Sequence, residues 1–201
     1  MQDAVFAVEA PAGLKATASG CTTGASGTCT IGFTATTAGT YAIRAELGSS
    51  PVGAEQSLTF VAGPVDPANS ALSVSPGLRT ADGVDAHTAT VTARDSQGNP
   101  VDGVTVDFVV AGATGSGSAV TGADGKASVS ITATAPGSKR VTASIGGTDL
   151  GSSPQNVGFT VGAPDTAKST LTVTGSPTAA TRRPPPPPTA RGIRSPEPWS
   201  S

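Results

Sequence analysis

The chain has 201 residues, of which 36% are hydrophobic, 3% aromatic and 13% charged, with a formal net charge of −2. That length allows one or two ordinary domains, and no apolar run approaches the roughly 20 residues of a membrane helix. Residues 1–178 hold 8 basic and 13 acidic side chains, whereas residues 179–201 hold 4 arginines and one glutamate. A mildly acidic body offers nucleic acid no electrostatic footprint, so no nucleic-acid partner and no membrane span are expected in this fragment.

Met1 is followed at once by Asp3 and a short apolar stretch, unlike the basic start and longer apolar run of an export signal. The expectation is a piece of a longer protein, with signal and anchor outside it. Twenty-six glycines and 17 prolines, set among many Thr, Ser, Ala and Val, favour short strands joined by tight turns. The chain reads as all-β.

Residues 21–45 (CTTGASGTCTIGFTATTAGTYAIRA) and residues 119–143 (AVTGADGKASVSITATAPGSKRVTA) are similar. Gly24, Gly27, Thr34, Gly39 and Ala45 match Gly122, Gly125, Thr132, Gly137 and Ala143, 98 positions apart. Asp66, Ser70, Leu72 and Val74 match Asp165, Ser169, Leu171 and Val173, 99 positions apart. A period of about 100 residues is the size of one immunoglobulin-like sandwich, longer than a solenoid repeat. The reading is therefore a partial repeat over 1–63 (the C-terminal half), a complete repeat over 66–163, the start of a third over 165–178, and a disordered tail over 179–201.

Within 66–163 the alternation has period two. Val91 and Ala93 alternate with Thr90 and Thr92, and Thr88 is taken as one step out of phase, which leaves the start of that strand loose in register. Val104, Val106, Phe108 and Val110 share one face, with Thr105 and Asp107 on the other. Ala127, Val129, Ile131 and Ala133 repeat the pattern, followed by Val141, Ala143 and Ile145, then Val157, Phe159 and Val161. Each strand has one apolar and one Thr/Ser face, as two packed antiparallel sheets require. Turn formers gather at Asp95-Ser96-Gln97-Gly98-Asn99-Pro100 and at Ala81-Asp82-Gly83, and Ala123-Asp124-Gly125-Lys126 reads as a hairpin.

The order SALSVSP, ADG, ATVTARDSQGNPVDGVTVDF and TGADGKASVSITATAPGSKRVTAS resembles the bacterial immunoglobulin-like domains of the invasin and intimin type. The most specific parts are the block from Asp95 through Gly98-Asn99-Pro100-Val101 to Gly103, and Asp124-Gly125-Lys126-Ala127 at its spacing. The resemblance covers 66–163 well and 1–63 in part. It implies immunoglobulin-like β-sandwich repeats of a bacterial cell-surface adhesin, extracellular, serving as non-enzymatic spacers in a stalk. Partners would be neighbouring repeats of the same chain and a host or surface ligand. The lectin-like tip of such adhesins has no counterpart here. Two alternatives stand beside the spacer: a carbohydrate- or protein-binding module using the loops Asp95–Asp102 or Ala111–Ser118, and an accessory domain of a secreted enzyme.

No catalytic constellation, cofactor site or metal site is read from the sequence. Cys21 and Cys29 flank the Gly24–Gly27 turn and are expected to face each other across a hairpin. Export would oxidise them to a disulfide; free thiols and a metal pair are the alternatives. His87, the one histidine, is expected as a solvated loop residue beside Asp85. Asp82, Asp85, Asp95, Asp102 and Asp124 lie in turns, where calcium and simple turn chemistry are both readings. Tyr41 stands either at a tyrosine corner or as a half-buried strand residue. Arg182-Arg183 and Pro184–Pro188 suit a polyproline rod, and a change of reading frame is the other account of that tail.

Overall fold

A computed structural model describes residues 3–172. The expectations for 173–201, including the tail, lie outside the described residues. All regular structure among the described residues is β. In chain order the strands are β1 (Val5–Glu9), β2 (Leu14–Ala16), β3 (Gly20–Thr22), β4 (Phe33–Ala35), β5 (Gly39–Leu47), β6 (Ser50–Phe60), β7 (Ala71–Val74), β8 (Leu78–Thr80), β9 (His87–Thr92), β10 (Thr105–Val110), β11 (Gly117–Val120), β12 (Lys126–Ile131), β13 (Gly137–Ile145), β14 (Thr148–Asp149) and β15 (Gln155–Thr160). Among the described residues, those up to Ala163 belong to one compact unit and those from Pro164 to a second.

Between Asp66 and Ala163 two sheets face each other. One runs β12-β9-β7; the other runs β11-β10-β13-β15-β8, with β14 on β13. All pairs are antiparallel except β15 with β8, so the chain leaves the first sheet after β7 and joins the second beside β15. Val106, Phe108, Val141, Ala143, Ile145, Val157 and Phe159 from one sheet meet Leu72, Ala89, Val91, Ala127 and Ile131 from the other, all buried. Burying one such Val, Ile or Phe contributes about 1.5–3 kcal/mol, and the Thr/Ser faces keep the outside wet.

Three expectations change. The register of β9 is unbroken: His87, Ala89, Val91 and Ala93 all point inward, and Thr88 is in phase with Thr90. Strand β15 ends at Thr160, leaving Val161 at 70% exposure. The Ala123–Lys126 turn joins β11 to β12, which lie in different sheets, so it carries the chain across the sandwich and is not a hairpin.

Positions matched by the sequence offsets share local geometry. Gly27 N–H donates to Gly24 O at 2.9 Å, and Gly125 N–H donates to Gly122 O at 2.8 Å. Strand β5 spans 39–47, and β13 spans 137–145, 98 positions on. Ala68 N–H donates to Asp66 Oδ1 at 2.9 Å, and Ala167 N–H donates to Asp165 Oδ1 at 2.9 Å.

Residues 3–63 build the sheet β3-β1-β5-β6 and the pair β2-β4. Strands β1, β5 and β6 pair as β10, β13 and β15 do. No strands of this segment take the places of β7 and β9. Phe6, Val8, Ile43 and Ala45 are consequently only half-buried, and with Cys21, Cys29 and Ile31 they line an open groove of about 420 Å³.

Candidate functional site

The loop Asp95–Pro100 links the two sandwich segments. Its turn closes through Gly98 N–H to Asp95 O at 3.0 Å and Asp95 N–H to Asn99 O at 3.0 Å. Gly98 sits at φ +87°, a conformation L side chains rarely adopt. Pro100 restricts Asn99 to extended backbone, which places its carboxamide beyond the turn.

That carboxamide reaches the preceding segment. Asn99 Nδ2 donates to Thr36 O at 2.9 Å, and Asn99 Oδ1 accepts from Ala38 N–H at 2.9 Å. Asn99 is 9% exposed and Asp95 3%, so these bonds are formed away from bulk water, where losing one strands its partner. Thr36 and Ala38 belong to the turn leading into β5.

The connection between segments is tied to the same loop. Asp95 Oδ2 accepts from Gly63 N–H at 2.9 Å, Val65 forms a bridge with Asp95, and Asp66 N–H donates to Arg94 O at 2.7 Å. Asp95 Oδ1 accepts from Gln97 N–H at 2.9 Å and Asn99 N–H at 2.8 Å. The Asn99 side chain is the largest influence holding the Asp95 carboxyl down to about 2; removal from water opposes it, and the N–H groups of Gly63, Asn99 and Gln97 assist. The sequence marks this loop as a turn. The bonds to Thr36 and Ala38 carry no local signature and were missed.

Every oxygen of Asp95 is thus occupied by N–H donors. Three of the other turn aspartates accept main-chain N–H groups at one carboxylate oxygen each: Asp82 Oδ1 from Val84 and Asp85 N–H at 2.8 Å each, Asp85 Oδ2 from Thr80 N–H at 2.8 Å, and Asp124 Oδ1 from Lys126 N–H at 3.1 Å. The N–H of Asp85, then that of Val84, lowers the Asp82 carboxyl. These carboxylates cap turns.

Cys21 and Cys29 are joined, with sulfurs 2.07 Å and Cα atoms 5.9 Å apart. Cys21 lies on β3 but Cys29 lies in the loop before β4, so the bond does not span a hairpin as expected. By the 98-residue offset it takes the place of Ala119 and Ala127, on the strands flanking the cross-sheet turn.

His87 is not solvated. It is fully buried on β9, with Nε2 3.0 Å from Gly158 O, Nδ1 3.0 Å from Ser75 Oγ, and its ring edge-on to Phe159 at 5.1 Å. The histidine ties one sheet to the other. The inward phase of Ala89 and Val91 was the signal that could have placed it. Tyr41 is both things expected of it: half-buried, with Oη donating to Thr37 O at 2.8 Å.

Of the two loops considered for ligand binding, Asp95–Asp102 commits the side chains of Asp95 and Asn99 to the junction. The aromatics of this sandwich, Phe108 and Phe159, are 2% and 4% exposed and offer no platform to a sugar.

Residues 69–160 match the family described as bacterial Ig-like domain (group 1). Over 131 residues, 62% of its length, the chain is 37% identical to the inverse autotransporter adhesin YeeJ of Escherichia coli K12, of which that match spans 6%. Among solved structures it is similar to InvD of Yersinia pseudotuberculosis (24% identity, TM-score 0.57, 85% of this chain and 50% of that one). It is also similar to FdeC, described as an Escherichia coli adhesin (22% identity, TM-score 0.57, 81% of this chain and 53% of that one). At those identities the two structures bear on the fold, and the chain spans about half their length.

Proposed function

Because residues 69–160 match the bacterial Ig-like domains (group 1), we propose that this chain is a spacer segment of a bacterial surface adhesin, holding neighbouring repeats in fixed relation. One observation carries the reading: the Asp95–Asn99 loop bonds both to the turn of the preceding segment and to the connection between segments. A spacer works by resisting bending. Two segments joined only by a flexible linker tumble separately, whereas a linker whose N–H groups are bonded to the next domain loses that freedom. The role is mechanical and non-catalytic. It places the chain outside the bacterial cell, where Cys21 and Cys29 oxidise. No helix among the described residues is long and apolar enough to cross a membrane.

Homology to an adhesin supports the setting, and the use of polar groups at the junction supports the spacer over a binding module. Small-angle X-ray scattering of the full chain tests it. The expected profile is that of one elongated body whose dimensions do not change with ionic strength. A profile fitted by an ensemble of freely jointed segments would overturn the spacer role.

A further inference from the structure

Only one face of Asn99 can meet the preceding turn, and this gives the junction a preference. Asn99 Nδ2 donates to Asp95 Oδ2 at 2.8 Å as well as to Thr36 O. A carboxylate only accepts, so the amide nitrogen must face Asp95, and Oδ1 is left pointing at Ala38. There it requires a donor, which Ala38 N–H supplies at 2.9 Å.

The repeat supplies the comparison. At the 98-residue offset, Thr36-Thr37-Ala38-Gly39 corresponds to Thr134-Ala135-Pro136-Gly137, each run leading into β5 or β13 at its glycine. Proline has no N–H. A turn of the second kind, set against an Asn99-type loop, keeps the carbonyl acceptor at Thr134 but leaves Oδ1 buried and without a donor.

We propose that Asn99 selects the repeat that precedes it, accepting a turn with a backbone N–H at the position of Ala38 and disfavouring one with proline there. The partner it recognises is a neighbouring immunoglobulin-like repeat. Two classes of turn within one chain would then define which repeats lock together in the stalk. The selection rests on the spacer reading above.

The test uses the full chain and four variants: Ala38→Pro, Ala38→Ser, Asn99→Ala, and the double variant Ala38→Pro/Asn99→Ala. Residual dipolar couplings report whether the two segments share one alignment. Amide hydrogen exchange reports the Ala38 N–H directly, and remains readable in Asn99→Ala if the proline variant fails to fold. We expect Asn99→Ala to speed exchange at Ala38 roughly tenfold, the change produced by losing one buried hydrogen bond. Ala38→Pro should divide the alignment as Asn99→Ala does, the double variant should add nothing, and Ala38→Ser should match the wild type. A shared wild-type alignment that survives Ala38→Pro would overturn the selection while leaving the spacer standing. Equal Ala38 exchange in wild type and Asn99→Ala would also overturn it. Two independent alignments in the wild type would instead sink the spacer reading itself.

Discussion

Asp95 holds Asn99 twice, accepting its backbone N–H at Oδ1 and its side-chain N–H at Oδ2, both at 2.8 Å. One carboxylate therefore closes the turn and aims the amide that crosses to the neighbouring segment.

This geometry has an acid limit. The Asp95 carboxyl is lowered from 3.8 to about 2, so the folded state favours its charged form. Its contribution to stability is complete above about pH 4 and is lost as pH falls toward about 2. Melting temperatures between pH 5 and 2 should fall more steeply in the wild type than in Asp95→Asn, which lacks the titrating group. Parallel profiles would contradict the role given to the carboxylate.

The two segments should differ in autonomy. Residues 66–163 have both sheets and a closed core, whereas Phe6, Val8 and Ile43 in 1–63 lie half-buried along an open groove. Expressed alone, 66–163 should melt cooperatively and 1–63 should not. In the full chain, mass spectrometry of a non-reduced digest should show the Cys21–Cys29 link. Replacing both cysteines with alanine should destabilise the first segment by roughly 2–3 kcal/mol, the worth of closing so short a loop. The melt of 66–163 should not change.

His87→Ala should be costly. It leaves the Gly158 carbonyl without the Nε2 partner and opens a void beside Phe159. Together these cost about 3 kcal/mol, read as a lower urea midpoint for 66–163. A loss under ~0.5 kcal/mol, typical of a surface site, would show that the inter-sheet tie is not formed.

Two glycines should respond differently. At Gly125 (φ +71°) an added Cβ would lie 2.7 Å from Ala93 O and 2.9 Å from Pro100 Cβ, whereas at Gly98 (φ +87°) it meets nothing within 4 Å. Gly98→Ala carries only the backbone cost of about 1 kcal/mol; Gly125→Ala adds the collision with main chain and should exceed it clearly. Chemical denaturation of both variants decides the order.

What the sequence determined by itself was everything periodic. Alternation in Val104–Val110, Ala127–Ala133 and Val141–Ile145 placed the inward faces, because a strand's side chains change face at every residue. The 98-residue offset located matching turns, since Gly27 and Gly125 both take positive φ and leave the same mark in each copy. Tertiary structure decided the rest. Whether the Gly125 turn joins partners in one sheet or crosses between sheets depends on hydrogen bonds that β11 and β12 make elsewhere. His87 looked like a loop residue until its strand was packed against Gly158, 71 positions away. Asn99 looked like a turn former, and its bonds to Thr36 and Ala38 span 63 and 61 positions. Contacts of that range depend on how two segments dock, and local composition does not encode docking.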